Sequence, residues 1–143
     1  MLPFEQDVVA LWLDPRARVA VNAAKLAAIG GGGTNVSAPL AELNRRRAAV
    51  DLVVIVSDNQ SWVDAQRAGA TATMREWEKL KARCPRARLV CIDLQPYGTT
   101  QAMSRRDILN VGGFSDAVFE TLATFAMGDG ARDWVAEVNE MEV

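Results

Sequence analysis

The stretch Val53-Val54-Ile55-Val56-Ser57-Asp58-Asn59 decides the fold class, because an apolar run leads directly into a hydroxyl, a carboxylate and an amide. A near-continuous apolar run is typical of a parallel strand buried on both faces. The glycine loop Gly30-Gly31-Gly32-Gly33 comes earlier and ends on the hydroxyl of Thr34. Ligands of open α/β sheets bind beyond the carboxyl ends of the strands. We therefore expect an α/β sheet with a polar site where this strand ends.

The flanking segments alternate between strand and helix patterns. The predicted strands are Asp7–Leu13, Asp51–Ser57, Arg88–Leu94 and Asn110–Phe114, and the predicted helices are Arg18–Ile29, Ser37–Arg47, Ala70–Arg83, Ser104–Leu109 and Ser115–Ala126. In the third helix, Met74, Trp77, Leu80 and Cys84 recur at spacings of three and four and should face the sheet. This alternation predicts a Rossmann-like, mostly parallel sheet with helices on both faces. We expect Val53–Ser57 and Ala87–Asp93 to be adjacent, parallel strands.

Length and composition limit the class of protein. The 143 residues, half of them hydrophobic, suffice for one domain with its own core. We expect that domain over residues 1–128, and a short acidic helix or tail over residues 129–143. The net charge of −2 argues against a strong attraction of the whole chain to nucleic acid. The absence of histidine excludes His-based catalysis and His-ligated metals.

The cellular compartment also follows from composition. The two cysteines, Cys84 and Cys91, are too few for a disulfide framework and lack zinc-ligand spacing. Cys91 lies within an apolar strand and is expected to be a core residue. No apolar run has the length of a membrane span, and the N-terminus lacks signal-peptide features. We expect a cytoplasmic protein with no membrane partner.

Oxygen donors at the two polar loops favour a hard cation. Thr34 and Asp58 suit Mg²⁺, which prefers carboxylates, hydroxyls and retained waters. Gly32, Gly33 and Asn59 would form the ligand-facing loops around it. The structural alternatives are that Thr34 caps the following helix and that Asp58 caps a loop. The glycines also fit a helix stop, and no Gly-Lys-Ser/Thr follows them, so the loop is not a P-loop.

A family resemblance rests on three stretches: Gly31–Leu40, Val54–Asn59 and Gly112–Asp116. Together they resemble a von Willebrand factor A domain, and in particular the C-terminal module of the TROVE or Ro family of RNA-binding ribonucleoproteins. The resemblance extends from Pro3 to Met127. It implies a metal-ion-dependent adhesion site in which Thr34 matches the family's threonine and Asp58 its aspartate. The family's principal metal ligands come from an Asp-x-Ser-x-Ser motif at the end of its first strand, and this chain contains no such motif.

The missing motif implies an incomplete domain. In the family, the first strand lies between the strands that match Val8–Leu13 and Val53–Ser57. We therefore expect a weak or incomplete Mg²⁺ site and a domain that is incomplete at its N-terminus. A second chain, which includes a copy in a homodimer, would supply the strand. A fragment, a split half, a swapped dimer and a monomer that pairs these two strands directly all remain open.

The resemblance implies a non-enzymatic, metal-dependent binding module from a TROVE/Ro-like ribonucleoprotein that handles small noncoding RNA, with no catalytic residues. The family's RNA-binding ring of helical repeats has no counterpart in this chain. One alternative is a metal-assisted phosphoryl-transfer or hydrolytic enzyme, and another is a structural half-domain that completes a second chain. Arg105 and Arg106 are candidate RNA contacts near the ligand-facing loops, and Arg45–Arg47 is a second basic set. Charged helix faces are more often simply solvated.

Overall fold

A computed structural model describes residues 1–30, 33–58, 72–94 and 105–127. The strands in this part of the chain are β1 (Leu52–Ser57), β2 (Arg88–Asp93) and β3 (Ile108–Gly112). The helices are α1 (Val19–Ala27), α2 (Ala38–Arg45), α3 (Ala72–Arg83) and α4 (Ala117–Met127). Within these residues no helix is long and apolar enough to cross a membrane. The proposed tail over residues 129–143 lies outside the described residues.

The described strands form one parallel sheet in the order β1-β2-β3. Its register places Ser57 beside Asp93, and Asp93 beside Gly112. This arrangement confirms the predicted α/β class and the adjacent, parallel pairing of β1 with β2. The three carboxyl ends therefore lie at one edge of the sheet, which we call the carboxyl edge, and the three amino ends lie at the opposite, amino edge.

Helices α2 and α3 cover one face of the sheet. Trp77 and Leu80 of α3 are fully buried against Leu40 of α2 and against strand residues such as Leu89 and Ile55. The periodicity of α3 is confirmed, because Met74 is also buried and Cys84 packs against the same core. Buried Leu side chains of this kind each contribute roughly 1.5–3 kcal/mol relative to exposure. This layer forms the main core of the described chain.

Helix α4 covers the other face, but only over part of the sheet. Val118 and Phe125 of α4 pack against Val90 and Ile92 of β2. Beyond them, the β1 side chains Val54 and Val56 remain 41% and 45% exposed. The expectation that β1 is buried on both faces is therefore wrong. In the described part of the chain, β1 is an edge strand, and one of its faces has no covering element.

Ser37 occupies the N-cap position of α2 as expected, but its side chain makes no capping hydrogen bond, and the Asn35 side chain bonds to the start of the helix instead. The Oδ1 of Asn35 accepts hydrogen bonds from the Ser37 backbone N–H at 3.1 Å and from the Ser37 hydroxyl at 2.7 Å. Ser37 itself already has helical backbone angles. Asn side chains commonly bond to the backbone two residues ahead in this manner. Pro39 sits in the first turn, where its missing N–H costs nothing.

Two predicted elements are wrong. Asp7–Leu13 is not a strand: Val9 donates a hydrogen bond to the Pro3 carbonyl in a local turn, and Trp12 is 72% exposed. An apolar strand needs a pairing neighbour, and no strand of the described sheet pairs with this segment. Residues 105–109 are not helical either, because Ile108 and Leu109 begin β3 beside Leu89 and Val90. Pairing with the sheet overrides the local helical pattern.

Candidate functional site at the open edge of the sheet

The carboxyl edge brings polar side chains together at the ends of neighbouring strands. Ser57 ends β1 and Asp93 ends β2, and both are buried, with exposed fractions of 7% and 6%. Asp58 follows Ser57 and is half-buried. The Leu94 N–H donates to the Ser57 carbonyl at 2.9 Å, and the Gly113 N–H donates to the Asp93 carbonyl at 2.7 Å. Backbone bonds thus hold the edge in place just past the last strand residues.

A groove of about 840 Å³ runs along β1 from this edge. Its lining is mainly apolar and comes from the N-terminal segment, the end of α1, α2 and β1, and it includes Phe4, Leu26, Ile29, Pro39, Leu43 and Val54. Thr34 and Asp58 both line it. The structure therefore places these two predicted site residues along the same groove. Gly32 and Asn59, which were predicted to face the ligand, lie outside the described residues.

Hydrogen bonds to the N-terminal segment position the loop that carries Thr34. The Asn35 N–H donates to the Glu5 carbonyl at 2.7 Å, and the Asn35 side-chain amide donates to the Gln6 carbonyl at 3.0 Å. A Cβ on Gly33 would lie 3.5 Å from the Gln6 side chain, which is ordinary contact. The loop is thus tied to residues 5 and 6, and its conformation does not depend on the glycine.

Thr34 and Asp58 fit Mg²⁺ in chemistry but not in number. Hydroxyl and carboxylate oxygens are suitable donors for this hard cation. Among the residues that the structure describes, however, no group of three or more Asp, Glu, His or Cys side chains could hold a metal ion. A Mg²⁺ site built on Thr34 and Asp58 would therefore need further oxygen donors.

The groove coincides with an unpaired strand edge. The Arg88 N–H donates to the Asp51 carbonyl and the Leu94 N–H donates to the Ser57 carbonyl, so the odd-numbered residues of β1 direct their backbone groups toward β2. The alternation of a strand then directs the N–H and C=O groups of Leu52, Val54 and Val56 the other way. No described strand pairs with that side of β1. An exposed edge of this type is a template for another strand.

Asp93 is an edge residue that the sequence-based site assignment omitted. It ends an otherwise apolar strand directly beside Ser57, in the same position on β2 that Ser57 has on β1. The sequence signal that could have identified Asp93 is a carboxylate at the end of an apolar run, where α/β sheets carry their sites. Within this strand, burial and then the charge of Asp93 raise the pKa of the Cys91 thiol to about 12. Cys91 is therefore an inert core residue.

Arg105 and Arg106 do not lie at this site. They precede β3, so they lie at the amino edge, opposite Asp58, and their predicted position near the ligand-facing loops is wrong. Arg105 binds the Asp107 carboxylate with two hydrogen bonds of 2.9 and 2.8 Å and also pairs with Glu78. These bonds to Asp107 and Glu78 raise the pKa of Arg105. Whether either arginine contacts RNA stays a prediction.

Comparisons of sequence and of structure with known proteins all find Ro proteins. The model of the Ro60 vWA domain matches residues 1–126. The RNA-binding protein RO60 of Deinococcus radiodurans is 25% identical over 126 residues, which cover 88% of this chain and 23% of that protein. The crystal structure of the D. radiodurans RO (RSR) protein superimposes with a TM-score of 0.62 at 22% identity, over 81% of this chain and 23% of that one. The chain thus spans about a quarter of the length of these relatives. On its sheet topology and on the match over residues 1–126, the chain belongs to the Ro60 family of von Willebrand factor A domains.

Proposed function

We propose that this chain is a non-enzymatic binding module of a Ro-type RNA-binding ribonucleoprotein, and that it holds Mg²⁺ only when another strand is added along β1. The observation that carries the proposal is that Thr34 and Asp58 line the same groove as the open edge of β1. One added strand would occupy the groove, and its end would reach the carboxyl edge beside Asp58. Strand addition and completion of the metal site would then be a single event.

The energetics favour an apolar strand as the added element. Val54 and Val56 expose apolar side chains beside backbone groups that no described strand pairs, so hydrophobic surface along this edge contacts water in the free chain. Burial of such surface stabilises a complex by roughly 25 cal/mol per Å², and a main-chain ladder satisfies the edge. The strand belongs either to a longer polypeptide or to a second chain, which includes another copy of this one.

The added strand must also bring metal ligands. A segment in which an apolar strand ends in Asp-x-Ser-x-Ser, as the family has, would place one carboxylate and two hydroxyls at the carboxyl edge. Together with Thr34 and Asp58 they form an all-oxygen set that suits Mg²⁺. When bound, the ion offers an open position for an acidic group of the partner. The protein's own part is to hold these donors in a fixed arrangement.

RNA enters the proposal through the family. The relative from D. radiodurans is named an RNA-binding protein, and this chain matches about a quarter of it. Small noncoding RNA would bind chiefly through other parts of such a ribonucleoprotein. A binding role without catalysis suits a chain with no histidine. The free thiols Cys84 and Cys91 suit a reducing compartment such as the cytoplasm.

Calorimetry tests the proposal. Mg²⁺ is titrated into the chain alone, and into the chain saturated with a peptide in which an apolar strand ends in Asp-x-Ser-x-Ser. A matched control peptide carries alanine at the three ligand positions. We expect an affinity at least tenfold higher with the first peptide, no gain with the control, and no gain in Asp58→Asn. Equal affinities in all titrations would contradict the composite site.

A further inference from the structure

The amino edge of the sheet collects the ends of two helices and the starts of three strands. Helix α2 runs into β1 and helix α3 runs into β2, so the carboxyl ends of both helices lie where the strands begin. The Arg88 N–H donates to the Asp51 carbonyl and the Leu89 N–H donates to the Asp107 carbonyl, both at 2.9 Å. These bonds join the segments that precede β1, β2 and β3 into one surface.

This surface is basic, although the whole chain carries a net charge of −2. Its cations are Arg45, Arg46, Arg47, Lys81, Arg83, Arg86, Arg88, Arg105 and Arg106, and its carboxylates are Glu42, Asp51, Glu78 and Asp107. Cations at helix carboxyl ends are favoured by the helix dipole, which explains part of the enrichment. The segment before β3 adds Arg105 and Arg106, which follow no described helix.

Some of these cations are already neutralised. Arg45 and Arg46 both pair with Glu42, and the hydrogen bonds from Arg45 and then Arg46 lower the pKa of Glu42 to about 2. Lys81 and Arg105 pair with Asp107. Arg88 donates to the Phe125 carbonyl rather than to a carboxylate. Four more arginines have no carboxylate within ion-pair distance among the described residues: Arg47, Arg83, Arg86 and Arg106.

The unpaired arginines are distributed along the edge. Arg47 precedes β1, Arg83 and Arg86 precede β2, and Arg106 precedes β3. Neighbouring strands are about 4.8 Å apart, so these positions span roughly 10 Å of edge before the side chains extend. The surface is also stiff: the Asn44 amide donates to Glu76 of α3 at 2.8 Å, and Arg83 donates to the Asn44 Oδ1 at 2.7 Å.

We propose that the amino edge binds the phosphodiester backbone of single-stranded RNA without reading its sequence, an inference that rests on the proposed ribonucleoprotein role. Guanidinium groups match phosphate oxygens in geometry as well as charge. An interface for a protein partner would carry exposed aromatic or aliphatic side chains at its centre. None of the large exposed hydrophobic side chains falls within residues 42–51, 79–88 or 105–107. The arginines that have no carboxylate partner among the described residues therefore favour a polyanion.

The test compares two triple variants of the full chain. R47Q/R86Q/R106Q removes three unpaired charges from the amino edge and leaves Arg83, which bonds to Asn44, in place. R16Q/R18Q/K25Q removes the same charge from the α1 region and serves as the matched control. Binding to a fluorescein-labelled oligouridylate is measured by anisotropy over a series of salt concentrations. Circular dichroism melts check that both variants are folded.

We expect the slope of log K against log salt, which is negative, to become shallower by about 2 in the amino-edge variant. Each of the three lost phosphate contacts on a single strand contributes roughly 0.7 to its magnitude. The control variant should keep the slope of the unmodified chain. Equal slopes in the two variants, or no binding of oligouridylate by the unmodified chain at low salt, would overturn the proposal. So would equal or tighter binding of poly-glutamate, which would indicate an acidic protein partner. Arg47, Arg86 and Arg106 do not line the groove along β1. The outcome of this RNA-binding test is therefore independent of the outcome of the calorimetric test of the composite metal site.

Discussion

Replacing Trp77 with phenylalanine tests the link between the core and the amino edge. The Trp77 indole is fully buried, and its N–H donates a 3.0 Å hydrogen bond to the Asp107 Oδ2. Asp107 also accepts two bonds from Arg105. The W77F substitution keeps an aromatic ring in the core but removes the donor. It therefore separates the hydrogen bond from most of the packing.

The expected magnitude follows from the kind of bond that is lost. Hydrogen bonds to charged groups contribute about 1.5–3 kcal/mol, and the smaller ring adds a cavity cost. The free energy of unfolding is measured for the unmodified chain, W77F, D107A and the double variant. This double-mutant cycle isolates the hydrogen bond, because the cavity cost and the loss of the Arg105 pair cancel. We expect a coupling free energy of about 1.5–3 kcal/mol at neutral pH.

The coupling should depend on pH in one direction. Burial raises the pKa of Asp107, but the hydrogen bonds from Arg105 and Trp77 outweigh this effect, so the folded pKa lies below the ordinary value of an aspartate. The stabilisation by the carboxylate is therefore fully present above about pH 4 and is lost as the pH falls through the folded pKa. Urea denaturation at neutral pH and near pH 3 gives the four free energies of unfolding. A coupling below about 0.5 kcal/mol at neutral pH, the level of ordinary additivity error, would refute the reasoning.

Two further predictions concern the loop and the core. N35A should lower the free energy of unfolding by about 1–2 kcal/mol, because the Asn35 side chain bonds to Ser37 at the start of α2 and to the Gln6 carbonyl. S37A should lower it by less. Equal losses for the two variants in urea denaturation would contradict the capping role of Asn35. At pH 8, iodoacetamide should leave Cys91 unmodified in the native chain and modify it in denaturant, because burial and the charge of Asp93 raise its thiol pKa to about 12; native labelling at Cys91, located by peptide mass, would show that the strand opens readily.

The sequence predicted the parts of the fold that are locally determined. The apolar runs of β1 and β2 and the spacing of Met74, Trp77 and Leu80 were sufficient, because period and burial agree there. The strand predicted from Val8 to Leu13 was wrong because it is not locally determined. Its apolar pattern is that of a strand, but a strand forms only when it pairs with a neighbour, and no described strand pairs with this segment.

The candidate site was predictable only in part. Thr34 and Asp58 were predicted from their positions after a loop and a strand, and both line one groove. That they bind metal stays a prediction. Asp93 was missed because its proximity to Ser57 depends on the pairing of β1 with β2. Arg105 and Arg106 were assigned to the wrong edge because Ile108 and Leu109 were read as helical, which hid the start of β3. The sequence singled out Arg45–Arg47 and Arg105–Arg106 as basic sets, but it did not show that they share one edge, because they come from separate segments.

The most direct test of the open β1 edge is amide hydrogen exchange along that strand, followed by NMR. The backbone N–H groups of Val53 and Ile55 point toward β2, and those of Val54 and Val56 point to the unpaired side. In the chain alone we expect slow exchange at Val53 and Ile55 and fast exchange at Val54 and Val56. Addition of the strand peptide that ends in Asp-x-Ser-x-Ser should then protect Val54 and Val56. Equally slow exchange at all four amides in the free, monomeric chain, or no added protection with the peptide, would contradict the account.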